Sequence, residues 1–190
     1  MKPYNGYEAK PIVKKETLPK GGYVAKILNA KEMVYDWGSQ LVIGFDIAEG
    51  EYQGFFQKDF AKNPNEDKKW RGTFRLRIPA DDGSEQDGWA KNSFGHATWA
   101  IEESNPGYHW DWNEAGLKGK TVGVLFRNKE WEFNGNTGWT TECCALCTVD
   151  EIRNGTFKDP KDKPLKASAQ KAVMATNEFQ EIQGLDDLPF

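Results

Sequence analysis

Ser84-Glu85-Gln86-Asp87-Gly88-Trp89-Ala90-Lys91-Asn92-Ser93-Phe94-Gly95-His96-Ala97-Thr98-Trp99-Ala100-Ile101 is the one long helical pattern in a chain that otherwise alternates. Ser84 followed by Glu85, Gln86 and Asp87 is a helix start, because a hydroxyl can accept from the first free amides. Ala90, Phe94, Ala97 and Ile101 then recur at i, i+4, i+7 and i+11, one apolar stripe of a helix. Asn105-Pro106-Gly107 stops it. The stretch matters through its position, since everything on either side of it reads as strand.

Upstream, Tyr23 to Tyr35 is rich in β-branched and aromatic residues. Leu41, Ile43, Phe45 and Ile47 alternate on one face of the next run. Asp36-Trp37-Gly38-Ser39 makes a hairpin turn between the two. After Glu49-Gly50-Glu51, the segment Tyr52 to Ala61 reads as a third strand, Lys62 to Arg71 as a loop, and Gly72 to Ile78 as a further extended piece. Downstream, Thr121 to Phe133 carries Val122, Val124 and Phe126 on one face. Trp139 to Val149 follows the turn Asn134-Gly135-Asn136-Thr137-Gly138. Strands, one helix, then two strands predict a mainly β chain with an OB-fold. That fold is a five-stranded Greek-key barrel with one helix between strands 3 and 4.

Residues 1–20 read as an N-terminal arm, 21–155 as the OB-fold domain, and 156–190 as a flexible, Lys/Pro/Asp-rich and then acidic tail. The formal charge of −4 conceals a partition. Glu178, Glu181, Asp186 and Asp187 lie beyond the last basic residue, Lys171. The remaining 29 − 4 = 25 acids balance 25 basic residues, so the body is neutral and its faces are free to differ in sign. No apolar run is long enough to span a membrane, and the start lacks a signal-peptide core. A cytoplasmic location is expected.

If residues 52–61 form a strand, Phe56, Lys58, Phe60 and Lys62 share one face, an alternation of aromatic and cation. Lys69, Trp70, Arg71, Arg75 and Arg77 extend the basic stretch. Arg127, Lys129 and Trp131 share a parity on the fourth strand, and Trp37 and Trp139 sit at turn edges. Single-stranded nucleic acid needs this combination, because cations neutralise phosphates while aromatic faces stack bases.

Catalytic patterns are sparse. Asp46, Glu49, Glu51 and Asp59 could be drawn as a metal-dependent nuclease site, but acids at hairpin ends are ordinarily solvated turn residues. His96 and His109 have no paired nucleophile. The three cysteines fall within Cys143-Cys144-Ala145-Leu146-Cys147. On a strand, Cys143 and Cys147 stand roughly 13 Å apart, too far to share a zinc ion. No enzyme and no cofactor or metal is expected.

The chain ends Gly184-Leu185-Asp186-Asp187-Leu188-Pro189-Phe190. An aromatic end carrying its own carboxylate can fill an apolar pocket with a basic rim. This end resembles the acidic C-terminal peptide of bacterial single-stranded-DNA-binding proteins. The resemblance implies that Asp186, Asp187, Leu188, Pro189 and Phe190 recruit replication and repair enzymes. Residues 45–54, 70–74, 104–112 and 151–157 are similar to a family of tailed phages and prophages of Gram-positive bacteria. That similarity implies a place in phage replication or recombination, inside a bacterial host cell. The expected partners are single-stranded DNA and those enzymes, with self-association possible and no membrane. An adaptor that binds protein but not DNA is the alternative, and a nuclease a more distant one.

Overall fold

The computed structural model describes residues 16–65 and 67–165. The strands are β1 (Gly21–Tyr35), β2 (Gly38–Ile47), β3 (Thr73–Arg77), β4 (Thr121–Phe133) and β5 (Asn136–Cys147). The helices are α1 (Phe55–Lys62), α2 (Glu85–Glu103) and α3 (Val149–Asn154). The five strands make one antiparallel sheet in the order β3-β2-β1-β4-β5, with α2 between the third and fourth strands in sequence.

The core follows from the period-two faces. Leu41, Ile43, Phe45 and Ile47 on β2 are all buried, as are Phe74 and Leu76 on β3 and Val122, Val124 and Phe126 on β4. The helix stripe Ala90, Phe94, Ala97 and Ile101 is buried too, and α2 packs against β3, β4 and β5. Ser84 caps α2 by accepting from the Asp87 amide at 3.1 Å. At its other end the Asn105 amide group donates to the carbonyls of Ile101 and Thr121, tying the helix to β4. Trp112 then stacks on Phe94, with centroids 5.4 Å apart. At the β4–β5 turn, Asn134 (φ 49°) and Gly135 (φ 76°) are both left-handed. The loop is therefore two residues long, and β5 begins at Asn136 rather than Trp139.

One expected strand is a helix. Residues 52–61 do not extend the sheet: Phe55–Lys62 form α1, and the third strand is Thr73–Arg77 instead. Asp46, buried on β2, accepts from the amides of Phe56 (2.9 Å) and Gln57 (3.1 Å). It thereby satisfies free donors at the helix N-terminus and places negative charge at the positive end of the dipole. Gly72 lets β3 approach α1, since a Cβ there would lie 2.8 Å from Phe56 Cγ.

Both terminal extensions contribute to the body. Leu18, in the expected arm, is buried at 2 % exposure and belongs to the core. Residues 156–165, expected to be tether, instead run against β4. Lys163 forms a parallel bridge with Lys129, with backbone hydrogen bonds of 2.8 and 2.9 Å to Asn128 and Glu130. These bonds fall where β4 continues past its pairing with β1, which stops at Gly21↔Phe126. The added segment thus covers an edge that β1 leaves open. Among the described residues, no helix is long and apolar enough to cross a membrane.

Candidate nucleic-acid interface

β3 and β5 are the two edges of the sheet, and the sheet curls until they approach each other without pairing. A groove of about 480 Å³ lies in this seam. Arg71, Thr73 and Arg75 line one side, and Arg127, Lys129, Thr141 and Glu142 the other. Four cations therefore face one carboxylate. Core residues Leu18, Phe56 and Phe126 form part of the lining, which is how an unpaired seam exposes the interior of a curled sheet.

The cations are unequal. Arg71 is paired with Asp59 at 2.9 Å. Glu142 holds Arg127 at 2.7 Å and Lys129 at 2.9 Å, with Lys163 at 3.8 Å. Burial opposes ionisation of Glu142, but the hydrogen bonds from Lys129 and Arg127 outweigh it and hold the carboxyl below its ordinary value. Arg75 and Arg77 are exposed on β3, and neither has an acidic partner among the described residues. Arg75 lies 3.5 Å from the Tyr35 hydroxyl.

Exposed aromatic residues cluster at the hairpin ends. Trp37 stacks on Tyr35 at 5.0 Å with nearly parallel rings. Trp131, Phe133 and Trp139 are exposed around the β4–β5 turn, where the Trp131 ring covers Gly138. The groove and these tips bring together part of the expected set: Arg71, Arg75, Arg127 and Lys129 in the groove, Trp37, Trp131 and Trp139 at the tips.

Of the rest, Phe56 reaches the groove only from the buried core, and the others lie outside it. Because residues 55–62 are helical, Phe56, Lys58, Phe60 and Lys62 do not form a strand face. Phe56 is buried at 4 %, edge-on to Phe45. Phe60 packs on Trp70 at 5.7 Å, with the Lys68 ammonium 4.6 Å above its ring. Trp70 donates its indole N–H to the carbonyls of Phe45 (3.0 Å) and Gly72 (3.1 Å), a stitch between β2 and the approach to β3. Lys58 reaches the Gln53 carbonyl, Lys62 lies 3.9 Å from Glu16, and Lys69 is exposed. Asp186, Asp187, Leu188, Pro189 and Phe190 lie outside the described residues.

Of the four acids drawn as a nuclease site, Glu51 is exposed and the other three have separate structural partners. Asp46 is buried rather than a solvated turn residue and caps α1, Asp59 pairs with Arg71, and Glu49 pairs with Arg153 at 2.6 Å. Among the described residues no group of three or more His, Cys, Asp or Glu is placed to hold a metal. His96 stacks on Trp99 and His109 is exposed. The three cysteines are free thiols. Burial pushes Cys143 up and Cys147 up to about 12, so neither is a thiolate at neutral pH.

Thr73, Thr141, Phe133 and Trp89 were not singled out by the sequence reading. Period two on the fourth and fifth strands could have located Thr141. Nothing local pairs it with Thr73, because that neighbourhood comes from the curl of the whole sheet. No protein-family model matches the chain, and no curated protein matches it.

Proposed function

We propose that the chain is a sequence-independent single-stranded-DNA-binding protein built on an OB-fold. The order β3-β2-β1-β4-β5, with a helix between β3 and β4, is what a five-stranded OB barrel gives when opened between β3 and β5. Ligands of that fold lie on strands 2 and 3 and between the β1–β2 and β4–β5 loops. Here those places hold Arg75 and Arg77, then Trp37, then Trp131 and Trp139. The observation that carries the reading is the groove itself, where four cations and one acid line a seam whose neighbouring hairpins end in exposed indoles.

The test is a tryptophan-quenching titration with oligo(dT), repeated over a salt series beside a gel shift on duplex. Affinity should fall steeply with salt, with a slope of about −0.7 per phosphate contact. A flat salt response, or equal affinity for duplex, would overturn the reading. An adaptor that binds protein alone is the second reading. It is favoured by Glu142, which neutralises part of the groove, and failure to bind oligo(dT) at low salt would select it.

The acidic end Asp186–Phe190 supplies the second half of the proposal: recruitment of replication or repair enzymes in a phage-infected bacterial cell. Its support is the terminal sequence, an aromatic and two carboxylates able to engage a pocket with a basic rim.

A further inference from the structure

The seam continues beyond the groove. A second cavity, of about 520 Å³, is lined by Arg75, Arg77, Glu85, Gln86, Trp89 and Ser93. Phe74, Arg75 and Cys144 wall both cavities, so the two lie side by side along β3. From Thr73 to Arg77 the strand covers about 13 Å.

Trp89 is the unusual member. It sits in the first turns of α2 with 70 % of its surface exposed, although the buried stripe of that helix lies beside it at Ala90. Its neighbour Gly88 has open space where a side chain would stand. Glycine inside a helix costs about 1 kcal/mol relative to alanine. An exposed indole with two guanidiniums that form no salt bridge among the described residues is the pairing that a nucleotide requires, with the base on the ring and the phosphate on the cations. Gln86 and Ser93 add hydrogen-bonding groups to the lining. Glu85 repels phosphate and so directs the backbone towards β3.

Resting on the single-stranded-DNA reading above, we propose that Trp89, Arg75 and Arg77 form an additional nucleotide subsite. In it a strand leaving the basic groove stacks one base on α2. This places a helix, rather than only the sheet and its hairpins, in the binding path.

The test titrates oligo(dT) of graded length against the full chain, Trp89→Ala, Trp89→Phe and Arg77→Ala. Short oligonucleotides that fill only the groove should bind the wild type and Trp89→Ala equally. Longer ones should bind Trp89→Ala about 5- to 150-fold more weakly, the range for loss of one stacked base, and Trp89→Phe should restore most of it. Arg77→Ala should lower the salt slope for long oligonucleotides by about one contact. Photocrosslinking of a halogenated oligo(dU) should place an adduct on Trp89. If Trp89→Ala matches the wild type at every length, the subsite is overturned while DNA binding stands. Equal weakening at every length, without rescue by phenylalanine, also overturns it and assigns Trp89 a structural role. If the wild type binds no oligonucleotide, the function proposed above fails and the subsite with it.

Discussion

Two carboxylates show how one residue type serves different ends. Asp46 is buried and accepts three backbone amides, from Ile47, Phe56 and Gln57. Asp46→Ala leaves those donors without their partner, two of them buried, so unfolding in urea should show a loss of about 3 kcal/mol. A loss below about 1 kcal/mol would mean that water takes over the carboxylate's role. Glu142, by contrast, occupies two groove cations. Glu142→Gln should release Arg127 and Lys129, tighten oligo(dT) binding and steepen its salt slope, while lowering stability by about 1 kcal/mol. Its carboxyl titrates below the ordinary 4.5 in the folded chain. The stabilisation is therefore complete above the unfolded value and is lost as pH falls through the folded one. The stability difference between wild type and variant should close below pH 4.5, and a constant difference there would show that the ion pairs do not stabilise the fold. Neither role was legible in the sequence. Asp46 looked like a hairpin-end acid, and its partners lie ten and eleven residues away on a helix that the sequence reading did not anticipate.

That helix is the clearest lesson at the scale of elements. Phe56 and Phe60 are four residues apart, a spacing that satisfies both a strand's period of two and a helix's i, i+4. Lys58 and Lys62 repeat the ambiguity, and the deciding influence, the Asp46 cap, is not local. The strands β2 and β4 and the helix α2 had no such ambiguity. Their apolar faces fit one period alone, and Ser84 and Asn134-Gly135 punctuate them by local chemistry. Helix α3 was missed although Thr148-x-x-Glu151 forms a capping box, because the two lie at the end of a run read as strand. Composition misled in the same way at residues 156–165. Their polarity argues for a tether, yet Phe157 covers Gly22 and Lys163 pairs with β4. Truncation after Gly155 should therefore lower stability by about 2 kcal/mol, roughly 4–8 °C in Tm by thermal unfolding. An unchanged Tm would mean that this pairing contributes nothing.

At the scale of the whole molecule, cations distant in sequence meet in one groove because the sheet curls, and that convergence is what a linear reading lacks. Arg71 and Arg75 face Arg127 and Lys129 across the β3–β5 seam, so each half was visible while their sum was not. If the groove holds DNA and the acidic end holds a partner, deleting Phe190 should abolish capture of replication proteins in a pull-down and leave the oligo(dT) titration unweakened. Equal capture by both forms would remove the recruiting role. The strand order also bears on how the chain is made. β1 is the middle strand, bonded on one side to β2, which follows at once, and on the other to β4, about 100 residues later. A ribosome adding about 5–20 residues per second needs roughly 5–20 s to deliver that second neighbour. Throughout that interval the backbone of residues 21–26 emerges without the β4 partners it has in the finished sheet. The nascent chain is then an open template for foreign strands, and a chaperone has its best reason to be present before Thr121 appears.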